Sequence, residues 1–588
     1  MDAFREEREI SQFEAEGKIG VVQQSPVQIL WGSWRRSTFL FCLAGVVLPL
    51  ACPHRPAGPS PLRFEVVLPA GLRGPAAGPV DGRVILILSG DPGAEPRFQV
   101  AAEGESQQLF GVDVAALPPG GSAVIDGWTL GYPAPGLAEV PAGRYRVQAV
   151  LHLYATFRRA DGRVVQLHAD HGEGQQWNRS PGNLFSAPVE VEVDPGKPGT
   201  IRVELTQEIP PLPAPRDSRW VRHLRIASPL LSRFWGRPVE LGAVVLLPAG
   251  YDEHPQARYP VVYYHDHFAP TFPVADESER PPGPAIPPRL LVVLPQTANP
   301  YYDDAYAVNS ENLGPYGDAL VQELLPAVER QFRAIGEPWA RAVYGSSTGG
   351  WAALAQQVFH PDLYNGAWVN CPDPVDFRAF LTTDLYRDTN VYWEEGRFGR
   401  SARPESRAPG GGVTATMEEA NRYERVLGSR GRSGEQFDAW QAVWSPVGED
   451  GYPRPIFDKA TGAIDPRVAA FWRERYDLTH ILARDWQCLG PRLQGKLHVK
   501  VGDSDTYYLD RAVRFLDQFL KSTREPGHGP WFAGDVEFGR GEPHCWTGDP
   551  FLPNTLSRPA IERRLLPKIA QQMLKTAPQG ADVTSWRY

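Results

Sequence analysis

The stretch RAVYGSSTGGWAALAQQVFHP, residues 341–361, decides the fold. Ala342-Val343-Tyr344 reads as the end of a buried strand, and Trp351 to Phe359 has the composition and apolar spacing of a helix. Between them Gly345-Ser346-Ser347-Thr348-Gly349 matches G-x-S-x-G in a strand-turn-helix context. On such an elbow the central serine takes a strained backbone conformation, and the residues two positions either side must be small because strand and helix crowd them. Ser347 then projects its hydroxyl from the sheet edge, and the Thr348 N–H, at the helix N-terminus, can hold a developing oxyanion. An inert glycine-rich turn has the same composition, so the chemistry depends on a base and an acid following in the right places.

Strand-like apolar runs alternate with helical patterns on both sides of the elbow. VELGAVVLLP, YPVVYYH and RLLVVLP precede a helix over 315–332; GAWVN, KLHVKVG, a helix over 509–520, DVEF and a helix over 559–574 follow it. Near-continuous apolar strands alternating with helices predict a mostly parallel α/β sheet covered on both faces. Residues 375–491 interrupt it as a long insertion, of the kind that forms lids or binding loops. Within it DLYRDTNVYWEEGRF and VAAFWRERYDLTHIL carry aromatics at helical spacing. SARPESRAPGGGV, residues 401–413, reads as a flexible loop.

In this fold class the triad runs Ser, Asp, His along the chain, each at a strand's C-terminal tip. Of the histidines after the insertion, His480 falls in a helical stretch, His498 inside a strand, and His528 ahead of the last strand, at the wrong end of the sheet. His544 follows that strand on the correct edge and is the expected base. Asp503 and Asp505 both follow KLHVKVG; spacing from the strand end favours Asp505 as the acid, leaving Asp503 as the alternative and as a cap for the helix beginning near Tyr508. A second oxyanion donor is expected from the N–H of His267 or Phe268, after the strand ending at His265. His265 and His267 at i, i+2 also raise a zinc reading, but no further ligands complete a site, and LHADHGE (167–173) reads as a polar turn. No metal or cofactor is expected.

Residues 63–204 are short alternating runs separated by turn residues, which predict an all-β sandwich-like domain over 63–207. IPPLPAP marks a proline-rich linker over 208–217, and the catalytic domain spans 218–588. WRRSTFLFCLAGVVLPLAC, residues 34–52, has the charged, apolar and small-residue regions of a bacterial secretory signal and is short for a spanning helix, so residues 1–53 read as an extension plus export signal. The charged segment before it is foreign to a signal peptide and suggests a downstream start. Cys52 is a candidate for lipid modification and membrane anchoring, although Pro49-Leu50-Ala51 departs from a lipobox. Of the five cysteines, Cys371, Cys488 and Cys545 lie outside this region and allow at most one bridge. The net charge of −9 with scattered basic residues excludes a nucleic-acid footprint. The 17 tryptophans read as core and lid packing rather than a sugar-stacking platform.

These residues resemble the esterase branch of the α/β-hydrolases, which includes feruloyl, acetylxylan and siderophore esterases, S-formylglutathione hydrolase and the mycolyltransferases. The resemblance covers about 219–574 and rests on Gly345-x-Ser347-x-Gly349-Gly350, Gly502-x-x-Asp505, a Gly-x-Pro-His544-x-Trp546 tip and the helix within 309–332. It implies Ser347, Asp505 and His544 as nucleophile, acid and base of a serine esterase acting on small-molecule or glycan esters. Asp266 stands where the branch usually has glycine, and the insertion is longer than in simple feruloyl esterases. Acyl transfer to a sugar or lipid hydroxyl, and a degenerate hydrolase that only binds glycan, are the alternative readings. The oligomeric state has no signature in the sequence.

Overall fold

Eight strands build the central sheet, in the order Val221–Ala227, Glu240–Leu246, Leu291–Gln296, Val261–His265, Arg341–Ser346, Ala367–Asn370, Leu497–Gly502, Asp535–Gly539. Glu240–Leu246 runs against both neighbours and every other pairing is parallel. Strands Val261–His265, Leu291–Gln296, Arg341–Ser346 and Ala367–Asn370 are apolar and buried at almost every position, because helices cover both faces. The arrangement is that of an α/β-hydrolase. This computed structural model describes residues 60–588 except 75–77, 103–105, 169–175, 266–288, 528, 547 and 549–557. The expected export signal, Cys52, the loop carrying Asp266, His267 and Phe268, most of LHADHGE, and His528 therefore lie outside the described residues. Among the described residues no helix is long and apolar enough to cross a membrane.

A β-rich region precedes the sheet. Three strands (Gly199–Glu204, Leu62–Val67, Ser122–Ile125) face an eight-stranded sheet centred on Gly143–Arg158, Val80–Ser89 and Gln108–Leu117. Phe64, Val66, Val84, Leu86, Leu88, Val147 and Leu151 fill the space between them. The opposite face of the larger sheet is buried too. Ile85, Ile87, Leu109 and Val150 pack on Tyr423, Val426 and Leu427, which belong to the insertion. Residues 209–217 run without regular structure between the β-rich region and the central sheet, and Pro56–Tyr588 forms one compact unit.

Two expectations for the insertion are corrected. DLYRDTNVYWEEGRF is not a helix: after a run of turns, Trp393–Gly396 pairs with Gly399–Ala402 as a hairpin. Gly396 and Gly399 frame the turn, and Gly399 takes a φ of 126° that a helix cannot accommodate. The stretch 401–413 is not a flexible loop either. Pro404–Arg407 pairs with Val413–Thr416, the proline entering at the strand's first position, where no ladder donor is lost. The glycines form the connection, closed by Ala408 N–H to Gly412 O at 2.8 Å. VAAFWRERYDLTHIL does lie on helices, Pro466–Arg475 and Leu478–Leu489. Trp440, Trp444, Phe437 and Trp472 from the insertion join the same core as the central sheet.

Candidate active site

The chain turns from strand Arg341–Ser346 into helix Thr348–Phe359 through one residue, Ser347, at φ 57°, ψ −124°. A side chain in this left-handed region is strained, and such outliers collect at functional sites. Crowding enforces the motif. A Cβ on Gly345 would collide with the Gly349 carbonyl and lie 2.8 Å from the His265 carbonyl oxygen, and one on Gly350 would lie 2.6 Å from Asn370 O. Gly345→Ala is therefore expected to destabilise the fold by about 3 kcal/mol or more, read as a lower midpoint in urea unfolding. An unchanged midpoint would contradict this packing.

The structure brings Ser347, His544 and Asp505 together from three separate strand ends. His544 Nε2 is 3.1 Å from Ser347 Oγ, and His544 Nδ1 is 2.7 Å from Asp505 Oδ2. Ser347 is 5% exposed and Asp505 is fully buried. Asp505 Oδ1 accepts the N–H groups of Tyr507 (2.9 Å) and Leu509 (3.3 Å). The expectation that Asp503 caps the helix is corrected here, because Asp505 holds that turn with one oxygen and the imidazole with the other. Asp503 Oδ1 instead accepts Gly541 N–H at 2.6 Å, tying the loop of Asp503 and Asp505 to the segment that leads to His544. Thr348 is fully buried at the N-terminus of the elbow helix, where its N–H is one of the donors left without an intrahelical partner.

Three features around these residues escaped the sequence reading. Cys371 is bridged to Cys545, adjacent to His544, while Cys488 is free and exposed. The inserted hairpin clips the loop that carries Asp505, with Arg407 Nε donating to Asp505 O and Arg407 N–H to Thr506 O, both at 2.9 Å. Asp373, buried beside the elbow, accepts from Tyr306 Oη (2.7 Å), Trp440 Nε1 (3.0 Å) and Thr348 Oγ1 (3.2 Å) on one oxygen. The only hint of Asp373 in the sequence was its place after a strand tip in GAWVNCPDP.

The remaining histidines have other partners. His498 pairs with Asp535 and stacks on Trp368, and His480 lies near Glu474. Burial lowers His265 to a pKa of about 4, which keeps the imidazole neutral. Among the described residues Cys371, His544 and Cys545 form the one cluster with metal-ligand chemistry. Both sulfurs are in the disulfide, and both ring nitrogens face Asp505 and Ser347.

A cavity of about 140 Å³ opens beside Ser347, with Phe437, Trp440, Tyr423, Tyr507, Leu381 and Leu509 among its walls. Asp373, Glu405, Glu424 and Glu435 also line it, and no lysine or arginine does. Burial, reinforced by the neighbouring Glu424, Asp303 and Asp438, pushes Glu435 up to about 8. Burial raises Glu424 as well, against the opposing pull of Lys459. Ordinary glutamates titrate near 4.3, so between about pH 4.5 and 8 the folded chain keeps protons that the unfolded chain releases. Stability is therefore expected to fall as pH rises through this window. Glu435→Gln should shrink the difference in Tm between pH 5 and pH 8, and an equal difference in both proteins would contradict the assignment.

The sheet order and the elbow define an α/β-hydrolase. Residues 238–448 match the family described as "Putative esterase", and the protein is a carboxylic ester hydrolase. Solved structures similar to it include a ferulic acid esterase (13% identity, 60% of this chain and 99% of that one, TM-score 0.33). An S-formylglutathione hydrolase from Agrobacterium tumefaciens shows 12% identity over 62% and 98%, TM-score 0.32. Mycobacterium tuberculosis MPT51 shows 13% over 62% and 99%, TM-score 0.31. No curated protein matches.

Proposed function

We propose that the protein is an exported serine esterase working through an acyl-enzyme. Ser347 attacks the ester carbonyl, His544 takes its proton and returns it to the leaving alcohol, and Asp505 orients and stabilises the imidazolium. The Thr348 N–H holds the oxyanion, with His267 or Phe268 as second donor. Water then repeats the sequence on the acyl-enzyme, releasing the acid and free Ser347. The observation that carries this reading is the unbroken chain of contacts from Asp505 through His544 to Ser347 at a strained elbow. The cavity is comparable to one that holds a benzene ring, about 150 Å³. Its small size and the absence of lysine and arginine from its walls favour short or single-ring neutral groups over anionic ones, so small-molecule esters are the proposed substrates. Export is supported by the pattern of residues 34–52 and by a disulfide, which persists in oxidising compartments.

A fluorophosphonate probe tests the mechanism. Stoichiometric labelling mapped to Ser347, with p-nitrophenyl butyrate hydrolysis lost in proportion, is the expected result. Hydrolysis that persists in fully labelled protein, or a label on another residue, would overturn it.

A further inference from the structure

We infer that the N-terminal β-region is a wall of the substrate cavity and sets which esters reach Ser347. It does so directly through Ala102 and indirectly by positioning the insertion helix Met417–Leu427. The inference rests on the esterase reading above.

Ala102, from the β-region, lines the same cavity as Ser347, as do Ala420 and Tyr423 from the insertion helix. Tyr132 links these parts. Its hydroxyl donates to Ala102 O at 2.7 Å, and its ring meets that of Tyr423 edge-on, with centroids 5.3 Å apart. The helix begins with a Thr416–Glu419 capping box, and its other end is fastened to the β-region. Helix C-termini leave carbonyls without intrahelical donors. Here Arg83, 6% exposed, fills two of them, Nε to Val426 O and Nη2 to Arg425 O, both at 2.7 Å. Asp113 holds Arg83 at 2.7 Å and also receives Arg432 at 3.2 Å and Ser429 from the insertion. The backbones touch as well, since a Cβ on Gly111 would overlap the Val426 carbonyl oxygen.

A guanidinium is worth burying here because a cation suits a helix C-terminus and five fixed donors can serve two carbonyls and a carboxylate together. Packing of Ile85, Ile87, Leu109 and Val150 on Val426 and Leu427 removes the remaining apolar surface from water. The helix therefore cannot shift away from Ser347 without exposing this patch and stranding Arg83. The insertion is a cover held shut from the β-side, and Ala102 is the point where that side reaches the substrate.

Two variants of the full-length protein move the cavity in opposite directions. Ala102→Trp narrows it, and Arg83→Ala frees the helix. The readout is the ratio of kcat/KM for p-nitrophenyl benzoate to that for p-nitrophenyl acetate. A second ratio compares 1-naphthyl with methyl acetate, which covers entry of the alcohol side. In at least one pair the bulky-to-small ratio is expected to fall about tenfold or more in Ala102→Trp and to rise in Arg83→Ala. A contact that served only stability would leave both ratios unmoved, whatever the Tm. Ratios within about twofold of wild type for Ala102→Trp, folded by circular dichroism, would overturn the inference; this holds even where Arg83→Ala fails to fold. Wild-type protein inactive on all four esters would instead refute the esterase reading itself.

Discussion

Ser347→Ala is expected to lower kcat for p-nitrophenyl butyrate by about 10⁴- to 10⁶-fold, the range for losing the nucleophile of a cooperating triad. The substitution keeps a Cβ on a residue already at φ 57°, so backbone strain is unchanged, and Tm should move little. What disappears is the oxygen 3.1 Å from His544 Nε2. The proposed oxyanion donor and the cavity remain and account for any residual rate. Steady-state kinetics on freshly purified protein decide the matter; activity within tenfold of wild type would place the nucleophile elsewhere.

Asp505→Asn and Asp503→Asn should separate sharply. Asparagine at 505 can keep its carbonyl oxygen on the Tyr507 and Leu509 N–H groups, which presents an NH₂ to His544 Nδ1 where Oδ2 now lies 2.7 Å away. The imidazole must then adopt the tautomer with Nδ1 unprotonated, and Nε2 can no longer accept the serine proton. A loss of about 10³- to 10⁴-fold in kcat follows. At 503 asparagine retains an acceptor for Gly541 N–H, so less than about tenfold loss is expected. A larger loss at 503 than at 505 would reverse the assignment of the acid.

The elbow and the strand order around it were legible because they depend on local rules. Glycines beside Ser347 and apolar runs buried on two faces leave a direct trace in sequence. The stretch Val84-Ile85-Leu86-Ile87-Leu88 carried the same trace and went unread. A sandwich strand with one wet face should alternate, whereas this one is apolar throughout because Val84, Leu86 and Leu88 fill the sandwich while Ile85 and Ile87 meet the insertion. The hairpin over 404–416 was hidden because proline and glycine suggest irregularity, although at a strand's entry and its turn they are compatible with pairing. The division of labour between Asp503 and Asp505 was beyond any spacing argument. It depends on which backbone N–H groups meet each carboxylate, and Gly541 is 38 residues from Asp503.

The bridge between Cys371 and Cys545 makes part of this enzyme a covalent ring. Its ends are 174 residues apart, and the ring encloses the whole insertion, Asp505 and His544, while Ser347 lies outside it. Such a closure restricts the disordered chain far more than the native one; the chain-entropy relation gives about 5 kcal/mol for a ring of this length. Urea unfolding with and without a reductant is expected to show a lower midpoint in the reduced protein, and coincident midpoints would show that the ring adds nothing. On the proposed mechanism the acid and base thus travel on one closed loop whose knot is tied next to the base, and the nucleophile is the fixed point against which that loop is set.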